Sequence, residues 1–168
     1  MEINIKPINK EDYKLTAGMI MEFFNYHRKL TNAPREFWET EEEAFEDLKA
    51  WLKEDEVYTI FLAENKVGFI HLRFGGQNVA WLEDIYVAED YRGKGIGRRA
   101  IAEVDKLMEG RNIKSMFVDV IPRNINAMKL YRNCGFDHLN MIELRKNYDH
   151  NLDKNDHVEI LGMDFIKY

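Results

Sequence analysis

The sequence predicts a mixed α/β fold, a sheet with helices on both sides. Three observations carry this. Segments of period-two apolar patterning alternate with segments of helical patterning. Their order is strand, two helices, three strands, helix, strand, helix, two strands, with no repeat or low-complexity tract. Finally, Gly93, Gly95 and Gly97 cluster where a strand turns into a helix, the join at which α/β folds often bind ligands.

Glu2 to Pro7 alternates polar and apolar residues and reads as a first strand. A helix follows from about Glu11 to Leu30, with Leu15, Met19, Phe23 and Leu30 near one face, and Thr31 to Pro34 breaks it. Thr40 with Glu43 is a capping-box pattern that opens a second helix running to about Lys53. Val57 to Ala63, Glu64-Asn65-Lys66 and Val67 to Phe74 read as strand, tight turn and strand. Gly75-Gly76 makes another turn, and Val79 to Val87 is a further strand. Ile96, Ala100, Ile101, Val104, Leu107 and Met108 then trace a helical stripe that ends by Gly110. Ser115 to Ile121 reads as a strand, and Asn124 to Cys134 as a short helix stopped by Gly135. Met141 to Leu144 and Val158 to Phe165 are expected as closing strands, with Asn147 to His157 a loop or hairpin turn.

A chain of 168 residues is expected to form a single domain, 1–168. Its formal net charge of -6, without a basic stripe, argues against nucleic acid as partner, because phosphate neutralisation dominates that affinity. Cys134 is the lone cysteine, so no intramolecular disulfide can form. The N-terminal residues lack the apolar core of a signal peptide, and no apolar run is long enough to span a membrane. The expected location is the cytoplasm. The sequence leaves a homodimer open.

Trp81 to Val87 is a strand that enters Arg92-Gly93-Lys94-Gly95-Ile96-Gly97, which becomes the start of a helix. Such a turn can aim several backbone N–H groups at a phosphate. The same glycines would also serve a plain connection that needs positive φ. The turn is not a P-loop, because Gly95 follows Lys94 where Ser or Thr is required. Nor does it have the glycine spacing of a dinucleotide fold.

Arg92 to Gly97 resembles the Arg/Gln-x-x-Gly-x-Gly/Ala signature of GNAT acyltransferases. About thirty residues on, Asn124 to Ala127, Leu130-Tyr131 and Cys134-Gly135-Phe136 look like that family's second cofactor segment. Leu82-Glu83-Asp84 with Asp90 to Gly93 is similar to spermidine/spermine N-acetyltransferases. The resemblance spans Val79 to Phe136 and implies a GNAT fold, with a mostly antiparallel central sheet, and acetyl-CoA as acyl donor. By position it implies that the backbone of Ile85, Tyr86 and Val87 pairs with the pantetheine arm. The turn Arg92, Gly93, Lys94, Gly95, Ile96, Gly97 and Arg98 would hold the pyrophosphate. Asn124 would contact the cofactor or cap the helix after it, and Tyr131 would sit near the thioester sulfur.

A primary ammonium is mostly unreactive at neutral pH; deprotonating it at pH 7 costs roughly 4–5 kcal/mol. The chemistry therefore needs a carboxylate or water chain as base, a donor for the departing thiolate and a dipole for the oxyanion. The resemblance makes Glu83 the base, with Asp84, on the opposite face by the period-two rule, in reserve; a bulge in this strand would exchange the two. It makes Tyr131 the acid, although Ala127, Leu130, Tyr131 and Cys134 also form a packing stripe. Cys134 reads as a small buried hydrophobe. The five histidines show no paired ligand spacing, so no metal is expected.

Glu39, Glu41, Glu42, Glu43, Glu46 and Asp47 surround the start of the second helix. They complement its dipole or attract a cationic acceptor, and Phe24, Tyr26, Trp38 and His71 are candidate linings of that groove. The expected reaction is direct transfer of acetyl to a primary amine, a polyamine or an aminoglycoside-like small molecule. A protein lysine or N-terminus as acceptor, and a non-catalytic CoA-binding regulatory module, are the alternatives.

Overall fold

The computed structural model describes residues 2–76 and 78–168, which fall into two units, one ending at Asp119 and the other spanning Val120 to Tyr168. In the first, β1 (Ile3–Pro7), β2 (Glu56–Leu62), β3 (Asn65–Gly75), β4 (Val79–Val87) and β5 (Ser115–Phe117) form one sheet in that order. The first four pair antiparallel, and β5 joins β4 in parallel. Helices α1 (Tyr13–Leu30), α2 (Glu41–Trp51) and α3 (Ile96–Gly110) flank it. This is the expected mixed, mostly antiparallel sheet.

Alternation along the strands assigns the two faces. Val57, Phe69 and Tyr86 pack with Ala17, Met19 and Ile20 of α1 and with Ala44 and Leu48 of α2. Tyr58, Ile70 and Leu72 lie between those positions and point the other way. On that side Arg111, the C-cap of α3, donates to Glu56 at 2.7 and 2.8 Å and to the Tyr58 hydroxyl at 3.1 Å. Burial, followed by hydrogen bonding to Glu56, pushes the Tyr58 phenol up to about 12.

The α3 stripe forms as expected at Ile96, Ala100, Ile101, Val104 and Met108, which are buried, while Leu107 is only half-buried. The α2 capping box also forms, with Glu43 N–H donating to Thr40 Oγ1 at 3.2 Å and Thr40 N–H to Glu43 Oε2 at 2.9 Å. The α1 face differs in part. Met19 is buried and Phe23 packs against the core as expected, joined by Tyr13, Ala17, Ile20 and Phe24, but Leu15, 48% exposed, lies nearly opposite Ala17 and Ile20 at 100° per residue.

In the second unit, Asn124 caps α4 (Ile125–Asn133) by accepting from Ala127 N–H at 3.2 Å. The expected closing strands are corrected here. Residues 141–144 form no strand: among the described residues they have no ladder partner, and Met141 and Leu144 are 71% and 67% exposed. The segment from Val158 to Phe165 is two strands, β6 (His157–Ile160) and β7 (Met163–Ile166), paired antiparallel. Positive φ at Leu161 and Gly162 makes the two-residue turn between them. The expected strand at Ser115 to Ile121 likewise ends at Phe117. Among the described residues no helix is long and apolar enough to cross a membrane.

Candidate active site

Strands β3 and β4 pair one-to-one from Gly68↔Val87 to His71↔Asp84, and again from Leu72↔Leu82. Glu83 is therefore the extra residue of a β-bulge, a device that re-aims side chains. Period two alone would send Glu83 and Asp84 to opposite faces. Their partners place them on the same one. Glu83 bonds Arg73 Nε and Asp84 bonds His71 Nδ1 at 2.9 Å, and His71 and Arg73 are two apart on β3. Phe69, on the same face of β3, packs against α1 and α2, so both carboxylates belong to that side.

The two are not equally available. The Asp84 side chain is 14% exposed and held by a buried histidine; Glu83 is 30% exposed, and its partner Arg73 is 42% exposed. An ion pair that open to solvent is held by roughly 0–1 kcal/mol, so an entering ammonium can replace Arg73 at little cost. The Arg73 guanidinium lies 4.0 Å from the Trp81 ring centroid, which gives it a resting surface.

Beyond the bulge, β4 has an open side. Its pairing with β5 covers only Val79, Ala80 and Trp81, whereas β3 continues along it to Val87. Among the described residues no strand pairs with Ile85, Tyr86 and Val87 on the β5 side. Close contact holds the other side. A Cβ on Gly68 would stand 2.1 Å from the Tyr86 carbonyl oxygen, so only glycine permits this approach. Tyr86 itself is buried, and its hydroxyl bonds Glu22 of α1. Burial first, then Glu22, raise that phenol well above the ordinary tyrosine value.

The chain then turns through Glu89 to Tyr91 and Gly93 to Gly95 into α3. Gly93 and Gly95 both have φ of 73°, and a Cβ on either would meet nothing within 4 Å. The glycines thus answer to dihedral angle, and the space beside them is open. The first intrahelical bond of α3 is Arg99 N–H to Gly95 O at 3.2 Å. The N–H groups of Ile96, Gly97 and Arg98 precede it, and Gly95 supplies no side-chain cap. Lys94 and Arg98 are exposed nearby. The Arg92 side chain is turned back instead: its Nε donates to Val87 O at 2.8 Å, and its guanidinium lies over Tyr26 and Tyr86.

Around the α1–α2 connection, Arg28, Glu36, Phe37, Trp38, Glu39, Glu43 and Asp47 line a cleft of about 410 Å³. Of the four residues considered as groove linings, only Trp38 is among them. Glu39 takes an ion pair from Arg28 at 3.0 Å, and burial, outweighing that partner, raises its carboxyl above the ordinary range. In the second unit, Tyr131 on α4 packs edge-on against Phe136, with centroids 5.7 Å apart.

The model of the acetyltransferase (GNAT) family matches residues 23–136, about two thirds of the 168-residue chain, including the bulged strand, the glycine turn and α4. The chain belongs to the GNAT family. Thialysine N-epsilon-acetyltransferase of Sus scrofa is 36% identical over 40% of this chain and 39% of its own length. Spermine/spermidine N(1)-acetyltransferase of Bacillus subtilis is 33% identical over 33% of this chain and 38% of its own. These matches span about two fifths of the relatives' length. The structure of an N-acetyltransferase from Thermoplasma acidophilum in complex with coenzyme A superposes with a TM-score of 0.64 at 20% identity, covering 79% of this chain and 89% of that one.

GNAT acetyltransferases use acetyl-CoA, and this chain's residues fit that donor. The open side of β4 presents backbone to an extended amide-bearing arm. The α3 N-terminus presents N–H groups, open space and cations to a pyrophosphate.

Proposed function

We propose that this GNAT protein transfers acetyl from acetyl-CoA directly to a primary amine of a small molecule, with Glu83 as the base. The observation that carries the reading is the bulge, which sets an accessible carboxylate in the middle of β4, two residues before the segment Ile85 to Val87 that leads toward the glycine turn. Bound acetyl-CoA supplies an acyl thioester whose leaving group is a thiolate. The N–H groups of Ile96, Gly97 and Arg98 hold the pyrophosphate, and Ile85 to Val87 align the arm. Glu83 exchanges Arg73 for the acceptor ammonium and takes its proton. Tyr131, assigned from the family's second segment, protonates the thiolate. Asn124 acts as the helix cap that orients the segment carrying Tyr131.

The acidic cleft at Glu36, Glu39, Glu43 and Asp47 favours a cationic acceptor, as do relatives named for spermine, spermidine and thialysine. Release of free CoA thiol with a panel of diamines, polyamines, aminoglycosides and a lysine peptide tests the reading. Rapid release with a small polyamine and slow release with the peptide is the expected result; no release with any amine points to a CoA-binding regulatory module.

Tyr131→Phe should lower kcat by about 10²–10⁴-fold, the usual worth of a general acid, in a single-turnover assay that removes product release from view. Stability should fall only by about 0.5–1.5 kcal/mol, because the ring and its packing on Phe136 remain. Turnover within about threefold of wild type would assign the acid elsewhere, since a general acid is worth far more than that.

A further inference from the structure

We infer that His71 is a positioning residue for the acetyl transfer proposed above: held as an imidazolium between Asp55 and Asp84, it locks the β4 bulge and leaves Glu83 as the carboxylate open to the acceptor.

The geometry counts the protons. His71 is 4% exposed; its Nδ1 lies 2.9 Å from Asp84 Oδ2 and its Nε2 2.9 Å from Asp55 Oδ2. A neutral imidazole has one donor and one acceptor, whereas an ionised carboxylate only accepts. Two such contacts therefore need two N–H groups. The Trp51 ring stacks on the imidazole at 4.1 Å and 15°, fixing its plane and favouring its positive charge. The three carriers come from separate places. Asp55 lies just after α2, His71 is on β3, and Asp84 is the first residue of β4 back in register after the bulge.

The surrounding charges fit this state. Glu83 and Asp84 on β4 and Asp55 beyond α2 are negative. Arg73 on β3 is already paired with Glu83, and His27 on α1, which feels the Asp84 charge, is itself lowered chiefly by burial. For His71, burial is the largest single influence and lowers the imidazole. The hydrogen bonds and charges of Asp84 and Asp55 together outweigh it, so the pKa stands above the ordinary histidine value. A raised value means that the clamp is complete at acidic pH and is lost as pH rises through it. Loss leaves either Asp84 or Asp55 facing a ring lone pair in a buried site, and the clamp that holds the register around Glu83 is weakened.

The test uses the full chain. Nitrogen NMR of the His71 imidazole should show both ring nitrogens protonated at pH 7; a neutral single tautomer there would overturn the inference. Asp55→Asn keeps an acceptor for Nε2, removes one negative partner and leaves the Glu83–Arg73 pair untouched. It should move the alkaline limb of the kcat profile down by about one pH unit, a tenfold change in proton affinity, with KM for acetyl-CoA unchanged. A lower melting temperature with that limb in place would mean a structural role only, and would sink the proposal. Absence of CoA release by the wild type would overturn the acetyl-transfer reading and the positioning role with it, while the imidazole spectrum would still decide whether the clamp exists.

Discussion

Glu83→Gln should lower kcat by about 10²–10⁴-fold while acetyl-CoA binds as before, and the acidic limb of the pH–rate profile should flatten. Glutamine keeps the length of the side chain and an acceptor for Arg73, so the bulge and its packing persist. What it removes is the ability to take a proton from an ammonium, which at pH 7 costs about 4–5 kcal/mol to strip unaided. Asp84→Asn is the informative contrast, since Asp84 is bound to His71 rather than open to the acceptor. If Glu83→Gln kept the acidic limb and Asp84→Asn lost it, the base would be Asp84.

Gly97→Glu should weaken acetyl-CoA binding by on the order of 10²–10³-fold without unfolding the chain. Gly97 lies in the first turn of α3, outside the positive-φ positions, so a side chain there carries no backbone strain. A carboxylate near a helix N-terminus even adds about 0.3–1 kcal/mol of stability. Against a pyrophosphate about 4 Å away, however, it repels by as much as ~4 kcal/mol at an effective dielectric near 20. Gly95→Glu mixes the two effects, because its φ of 73° penalises any side chain. Calorimetry with acetyl-CoA and a melting curve on Gly97→Glu separate them: affinity falls and stability does not. Wild-type affinity would move the phosphate site away from α3.

The sequence by itself determined what short-range chemistry controls. The Thr40–Glu43 capping box, the α3 stripe from Ile96 to Met108 and the glycine turn before it depend on neighbours a few residues away, and all formed as read. Asn124 as helix cap was legible for the same reason. Leu15 was misplaced because an apolar residue two or three positions off a stripe looks much like a member of it until packing fixes the phase. Met141 to Leu144 had strand-like residues, but a strand exists only with a partner for its backbone.

The tertiary structure alone decided the site's geometry. Period two follows from one strand's own pleat, and it put Glu83 and Asp84 on opposite faces; the sequence could name a bulge as the exception without locating it. Only the register of β3 against β4 places the extra residue at Glu83 and turns both carboxylates to the α1 and α2 side. The pairing of His71 with Asp55 and Asp84, the retreat of Arg92 onto Val87, and the need for glycine at position 68 under the Tyr86 carbonyl arise the same way. Each joins residues from separate strands or turns, and the hydrogen bond or contact that makes it exists only after the sheet has closed.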